Sequence, residues 1–335
     1  MKSRSVTSVS LVLLPEAMAS TLISLFDVLS AVGTLANNTH VFEVSIVSDS
    51  LEPVTTASGI TIAPTKTYTQ VSHTDIVIVP SLLTRENRWP TEKYPQLIDW
   101  LKRQHIGGAV MCSACSGIFP LLEAGLFNQY PVTCHWSSVK TLRNSFPDVQ
   151  VQIERTLIVC GEEDRLIMSG AAGSWQDLIL YLVNRFAGPS TAGLTSSYFL
   201  LNWHPEGQTP YIPFQEDVSH GDGVVSKAQA WIREHSHESI LVNTLTSQSG
   251  LPERSFKRRF KKATGYTTIE YIQRFRVEQA KHLLEASGLP IDEIAHRVGY
   301  DEPAFFRRLF KRITSITPSA YRTKFCAPET IRQKL

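Results

Sequence analysis

Hydrophobic and polar positions change rhythm once along the chain. Over roughly the first two hundred residues, short runs rich in Val, Ile and Leu alternate with stretches of helical period. SVSLVLLP (8–15), FEVSIVS (42–48), GITIAP (59–64), DIVIVPS (75–81) and the short run at 109–111 read as strands. AMASTLISLFDVLSAVG (17–33), YPQLIDWLKRQ (94–104) and SWQDLILYLVNRF (174–186) read as helices with an apolar stripe, and RTLIVCG with DRLIMSG as a hairpin. Strands that are apolar throughout and alternate with helices predict a parallel sheet covered on both faces. Open sheets of this kind bind ligands at the carboxyl ends of their strands.

From 211 to 224, YIPFQEDVSHGDGV loses periodicity and gathers Pro, Gly and acids, which predicts a linker. Beyond it every apolar pattern is helical. Seven units follow, at 225–236, 240–250, 252–265, 267–287, 290–300, 302–314 and 317–325, punctuated by Gly or Pro. The expected division is therefore 1–210, a linker at 211–224, and an all-α domain at 225–328.

Charge sharpens that division. Of the 335 residues, 1–223 carry 13 Lys and Arg against 20 Asp and Glu, a net of −7; 224–335 carry 20 against 11, a net of +9. A basic module joined to an acidic one points to a polyanion partner for the C-terminal part. The five cysteines are an odd number without a secretory signal, which favours reduced thiols over a disulfide framework. Lys2, Arg4 and the apolar LVLL imitate a signal peptide, but Pro15 and Glu16 cut the run short of the roughly 7–15 residues required. No stretch approaches the ~18 apolar residues of a membrane span, so a cytoplasmic protein with no membrane partner is expected.

The basic module repeats internally. A shift of 50 residues pairs Phe256 with Phe306, Arg258 with Arg308, Phe260 with Phe310, Lys261 with Lys311 and Tyr271 with Tyr321. Each copy is a short helix, a Gly-containing turn and a basic helix, the pattern of a helix-turn-helix. Arg254, Lys257, Arg258 and Lys261 fall on one helical face, with Phe256 and Phe260 opposite; Arg307, Arg308 and Lys311 fall outward in the second copy. Such side chains suit guanine edges and phosphates. The 19-residue helix between the copies would be about 28 Å long at about 1.5 Å per residue, near the ~34 Å between successive major grooves.

The stretch RSFKRRFKKATG…YIQRFRVEQAKHLL…IDEIAHRVGYDEPAFFRRLFKR…TPSAYR resembles the DNA-binding domain of AraC/XylS-type transcription regulators over about a hundred residues. The resemblance implies base contacts from Arg254, Lys257 and Arg258, then from Ala304, Arg307 and Arg308. It also implies double-stranded promoter DNA, RNA polymerase and a homodimer as partners, and activation as a mode of regulation. Thr268 stands where proline is usual after the first copy, and Ser315 where glycine is usual after the second. Pro303 and Ala304 leave the second helix fewer polar readers, so the first is expected to carry more base specificity and the second more phosphate affinity.

GGAVMCSACSGIFPLLEAGLF (107–127) is the other chemical signal: strand, tight turn with Cys115, helix. This is how a nucleophile is presented, with the Ser116 and Gly117 amides beside it and His135 of VTCHWSS as base. Residues 7–188 resemble the DJ-1/PfpI and class I glutamine amidotransferase-like fold, a flavodoxin-like three-layer α/β/α sandwich, whose elbow cysteine precedes a histidine by about twenty residues. Two departures weigh against chemistry. Ser137 stands where active amidotransferases supply an orienting carboxylate, and Thr21 where DJ-1-like proteins place a glutamate; the nearby acid, Glu16, lies earlier. A histidine without an orienting partner is a weaker base.

CSGIF…HW, NWHPEGQTPYIPF and the AraC-type tail together resemble the amidase-like (GlxA-type) subgroup of AraC regulators. In that subgroup the first domain is taken to sense a small molecule or to dimerise. The expected effector cleft holds Cys115, Ser116, His135 and Trp136, the effector itself being unidentified. Three roles stay open for this domain: effector binding, a cysteine-dependent amidase or deglycase-like activity, and a purely structural or dimerising part. No catalytic residue, metal or cofactor is assigned. Cys112-x-x-Cys115 lacks a second ligand pair, and His220, His235 and His237 sit in polar segments. No phosphate-cradling glycine motif occurs. Trp136 and Trp203 could wall an aromatic cage, with core packing the commoner fate of a tryptophan.

Overall fold

A computed structural model describes residues 6–36, 41–83, 88–238 and 242–327. Lys2, Arg4, the start of the helical unit at 240 and residue 328 lie outside the described residues. Two compact units are present, Met1–Gln208 and Thr209–Leu335.

In the first unit the chain order is β1 (Thr7–Val12), α1 (Ala19–Leu35), β2 (Phe42–Ser48), β3 (Val54–Thr55), β4 (Thr61–Ile62), β5 (Lys66–Thr67), β6 (Ile76–Val79), α2 (Pro95–Ile106) and β7 (Val110–Ala114). It continues through α3 (Ile118–Glu123), α4 (Val139–Ser145), β8 (Leu157–Cys160), β9 (Leu166–Ser169), α5 (Trp175–Ala187) and α6 (Pro189–Phe199). Seven strands form one sheet in the order β5-β2-β1-β6-β7-β9-β8, parallel except for β8, which pairs antiparallel with β9 as the hairpin pattern predicts. The chain steps from β1 outward to β2 and from β6 the opposite way to β7. Right-handed crossovers then place α1 and α2 on opposite faces. The strands are buried because both faces are covered: Val9, Leu11, Ile76, Ile78, Met111 and Cys112 lie in one core with Leu25 and Leu29 of α1, Trp100 of α2 and Leu178 of α5. The unit is a three-layer α/β/α sandwich. The expected strand at 59–64 shrinks to the two residues of β4, in a separate hairpin with β3.

The second unit is helical: α7 (Gly223–His235), α8 (Val242–Ser249), α9 (Glu253–Thr264), α10 (Thr268–Ala286), α11 (Ile291–Arg297), α12 (Pro303–Thr314) and α13 (Pro318–Phe325). It has two cores. Val225, Ile232, Leu245, Phe256, Phe260 and Tyr271 form one; Leu284, Ile294, Phe306, Leu309, Phe310 and Tyr321 form the other. The two halves of α10 contribute one to each. The repeat seen at 50-residue spacing is thus a repeat of interiors. Phe260 meets Tyr271 edge-on at 5.2 Å and 90°, and Phe310 meets Tyr321 at 5.6 Å and 82°.

Arg276 ties the copies together. Its buried guanidinium donates to the carbonyls of Ser236, Gly299 and Glu238 and lies 5.0 Å from the Tyr300 ring. The stretch read as a linker is bound to this unit. The Ile212 carbonyl accepts from buried Lys281 at 3.2 Å, Phe214 packs on Tyr271 at 5.1 Å, and Glu216 accepts from the Tyr271 hydroxyl at 2.8 Å. Buried Gln229 donates to the Asp217 carbonyl, and Tyr211 meets Phe325 at 5.1 Å. Residues 211–222 therefore touch both cores.

Candidate functional site

The basic faces form as the helical phase dictates. Phe256 and Phe260 of α9, and Phe306 and Phe310 of α12, are fully buried, while Arg254, Lys257, Arg258, Lys261, Arg307, Arg308 and Lys311 are all exposed. Their electrostatic states differ. Lys257 pairs with Glu253 one turn earlier, and Arg307 of α12 pairs with Asp292 of α11. Arg254, Arg258, Lys261, Arg308 and Lys311 have no ion pair among the described residues. Exposed pairs such as Arg307–Asp292 are weak, so a phosphate could displace the carboxylate at small cost. The helix after each basic helix is the capped one: Thr267 and Glu270 form a capping box before α10, and the Thr317 hydroxyl accepts from the Ala320 amide before α13, whereas α9 and α12 start on Pro252 and Glu302 without a side-chain cap. Arg259, which the sequence reading left out of the exposed face, pairs with Asp222 at the start of α7.

The cysteine sits where the strand-turn-helix pattern puts it. Cys115 follows β7 in a single 3-10 turn, at φ +52°, a left-handed conformation costly for a residue with a Cβ. Gly117 allows the turn to press against the end of β6: a Cβ there would lie 2.2 Å from the Val79 carbonyl oxygen. The thiol is buried. Burial pushes its pKa up, and the His135 and Ser116 amides with the Ser116 and Ser81 hydroxyls only partly oppose this. The contact from His135 to this sulfur is thus through its backbone. Its ring Nδ1 accepts from the Ser137 amide at 3.2 Å and lies 2.7 Å from the Ser137 hydroxyl, which puts the proton on Nε2. Burial also pushes the His135 pKa down, favouring the neutral ring. Among the described residues no carboxylate hydrogen-bonds to this ring. Trp136 lies beside the imidazole at 5.0 Å.

Ser116 has a structural task. Its hydroxyl donates to the Leu82 carbonyl and accepts from the Leu82 amide at 2.8 Å, pinning the segment after β6 to the elbow. Thr21 is buried in α1. Glu16 instead lies in the loop after β1, held by Lys93 and by the Tyr94 hydroxyl, each at 2.5 Å. Burial would raise its pKa, but these two bonds outweigh it and hold the carboxyl below its ordinary value. Glu16 and Lys93 line a cavity of about 490 Å³ with Pro15, Ala57, Leu83 and Arg88. A second cavity of about 280 Å³ lies against Leu14, Tyr68 and Tyr94. The sequence signal for the first was Glu16 alone; the rest of its wall comes together only in the fold.

The far side of the elbow leads to the end of the unit. Gln208, 2% exposed, donates from Nε2 to the Thr133 hydroxyl and to the carbonyls of Cys134 and Arg155. Gly170 leaves it room, since a Cβ there would lie 2.0 Å from Nε2. His204 lies 2.7 Å through Nδ1 from buried Asp177, and its amide donates to the same carboxylate. Cys112 is buried in β7, where burial pushes its thiol up, and all five cysteines are free. Trp203 is exposed. Among the described residues no cluster of three potential metal ligands occurs, and no helix is long and apolar enough to cross a membrane.

Residues 7–184 match the model of the DJ-1/PfpI family, and residues 245–324 match a helix-turn-helix domain. Among curated proteins, the chain is similar to the MmsAB operon regulatory protein of Pseudomonas aeruginosa, 30% identical over 34% of this chain and 37% of that protein. It is also similar to the HTH-type transcriptional regulator GlxA of Rhizobium meliloti, 26% identical over 62% of this chain and 64% of that one. The chain thus spans 37% and 64% of the length of these two relatives. Its fold is similar to that of DJ-1beta from Drosophila melanogaster, with a TM-score of 0.50, 21% identity, and cover of 59% of this chain and 100% of that one.

Proposed function

We propose that this chain, which belongs to the DJ-1/PfpI family and carries an AraC-type helix-turn-helix domain at its C-terminus, is a sequence-specific DNA-binding transcription regulator. One observation carries the reading: two basic helices stand on matching Phe-Phe-Tyr interiors, each turning unpaired cations to solvent. A single basic helix is commonly a solvated face. Two in register at the ends of a 19-residue spacer suit successive major grooves. Residues 225–328 bind double-stranded promoter DNA in this reading. Arg254, Lys257 and Arg258 read bases, while Lys261, Arg307, Arg308 and Lys311 chiefly neutralise phosphates.

Residues 1–210 sense a small molecule at the carboxyl end of the sheet, around Cys115, Ser116, His135 and Trp136, and contribute to a homodimer. Contact with RNA polymerase and action in the cytoplasm follow from resemblance to AraC-type regulators. Selection of genomic fragments by the full chain, beside Arg258→Ala, tests the regulator. Wild type is expected to enrich a few promoter sites and the variant to lose them while keeping weak bulk binding. Equal binding of all fragments by both would reduce the basic module to a tether.

One observation favours a second reading, an enzyme of amidase or deglycase type: the left-handed Cys115 is strain of the kind placed at reactive sites. Against it stand the raised thiol pKa and a His135 ring whose Nδ1 is held by Ser137 rather than a carboxylate. Cys115→Ser separates the two. Loss of a measurable turnover with DNA response intact identifies an enzyme; an altered effector response without turnover identifies a sensor.

A further inference from the structure

We infer that the ligand of the sheet unit is a small organic acid that binds in the cavity between Glu16 and Arg88, with its carboxylate on the Arg88 guanidinium. The inference rests on the sensor reading of this unit; it names the ligand class and moves the ligand from the Cys115, Ser116, His135 and Trp136 cleft to a cavity that none of those four residues lines. Position is the first argument. In the order β2-β1-β6-β7 the chain leaves β1 one way and β6 the other, so β1 and β6 flank the point where the winding reverses. A crevice outside the carboxyl ends of two such strands is where open α/β sheets take their ligands. Pro15 and Glu16 follow β1, Leu83, Arg88 and Lys93 follow β6, and Ala57 comes from the hairpin after β2. Cys115 follows β7, one strand further along.

Charge gives the class. Lys93 and Tyr94 satisfy Glu16, which leaves Lys93 and Glu16 mutually neutral. Arg88 is exposed at the cavity wall and has no ion pair among the described residues, so the described lining keeps one positive charge of a shape that matches a carboxylate. Pro15, Ala57 and Leu83 offer an apolar body its surface. The remaining wall is already formed: Trp89 stacks on Phe119 at 5.6 Å and donates to Glu123 at 2.5 Å, so its ring is held before any ligand arrives. At about 490 Å³ the space falls within the range of small-molecule sites. Leu83 also follows directly on Leu82, which Ser116 pins, so an occupant of the cavity adjoins a segment bonded to the elbow.

The test uses the full chain and a panel of straight-chain monocarboxylates of two to eight carbons, with benzoate and phenylacetate, each beside its primary amide. Thermal denaturation finds binders and calorimetry gives their affinities. At least one acid is expected to raise the melting temperature while its amide does not. Arg88→Gln, at an exposed position, should keep the ligand-free melting temperature and weaken that acid at least about tenfold. Ala57→Leu should weaken it by filling space without touching charge. Failure of every acid, parity of the amides, or an unchanged affinity in Arg88→Gln overturns the inference. Fragment selection is scored separately: enriched promoters with no acid binding would sink this site and leave the regulator standing. Acid binding without enrichment would do the reverse.

Discussion

The first copy of the helix-turn-helix closes its basic helix with Gly265, at φ +79°, and starts the next helix with Thr268; the second closes with Ser315, at φ +67°, and starts with Pro318. Glycine suits a left-handed cap because it has no Cβ, and proline suits a first helical turn because its φ is preset. Each copy has one of the two and lacks the other. Ser315 bears the cost of a Cβ in the left-handed region, and Thr268 buries a hydroxyl without a hydrogen-bond partner. The interiors do not differ in this way, since the Phe-Phe-Tyr triads have nearly the same geometry. The repeat therefore holds where packing is dense and relaxes where one corner can bear about 1 kcal/mol. The outer faces each pair one cation, Lys257 with Glu253 and Arg307 with Asp292, but differ in what is left: α9 turns out Arg254, Arg258 and Lys261, while α12 begins with Pro303 and Ala304 and turns out Arg308 and Lys311.

The strongest way to break the comparison is to empty one interior at a time. Phe260→Ala and Phe310→Ala should each cost about 3–5 kcal/mol. Hydrogen exchange should show α7 to α9 opening in the first variant and α11 to α13 in the second; uniform loss in both would mean a single core. Next, Arg276→Met should cost about 3 kcal/mol, because three carbonyls from both copies lose one donor. Urea titration checks it, and an unchanged midpoint would show that the copies do not depend on this link.

A smaller effect separates the outer faces. Arg308→Ala should weaken binding to all DNA about equally and lower the salt slope by about one unit, while Arg258→Ala costs about 1–3 kcal/mol at particular bases. Titrations at several salt concentrations decide, and an unchanged slope removes Arg308 from the phosphate contacts. Last, Ser315→Gly and Thr268→Pro should each add about 0.5–1 kcal/mol, and the gains should sum because the corners belong to different cores. Differential calorimetry would resolve them. A loss in either would mean that its side chain makes a contact the other copy lacks.

Much of this was legible before the fold. The basic helices and the spacer at 268–286 follow from period, punctuation and a single shift of 50 residues, and the departures at Thr268 and Ser315 from the resemblance to AraC-type regulators. The elbow was legible because an apolar run, a cysteine, small residues and a helix lie in one contiguous stretch. What escaped depends on contacts between distant residues or on weak periodicity. α6 contains no charged residue, so no polar face marks it as a helix. Residues 211–222 carry no period, and what binds them is Lys281, Gln229 and Tyr271, far along the chain. The cavity escaped because three crossover loops build it, and only the strand order brings Glu16 and Arg88 to one wall. His135 would be a base only in the enzyme reading, and the sequence already placed Ser137 where an orienting carboxylate would stand. What its ring meets is set by the turn that follows, which offers Ser137.

Gln208 gives the first unit a fixed outlet. Its amide is clamped by three oxygens, two of them on residues 133 and 134, and Gly170 and Gly207 leave no room for a side chain that would loosen it. The last residue of the unit is therefore anchored to the stretch whose next amide, that of His135, faces the Cys115 sulfur. If that stretch moves, residue 208 must travel with it or the clamp must break. The stretch that faces the Cys115 sulfur and the last residue of the unit are thus held as one piece, joined through side-chain hydrogen bonds across about 75 positions of sequence rather than through the chain between them.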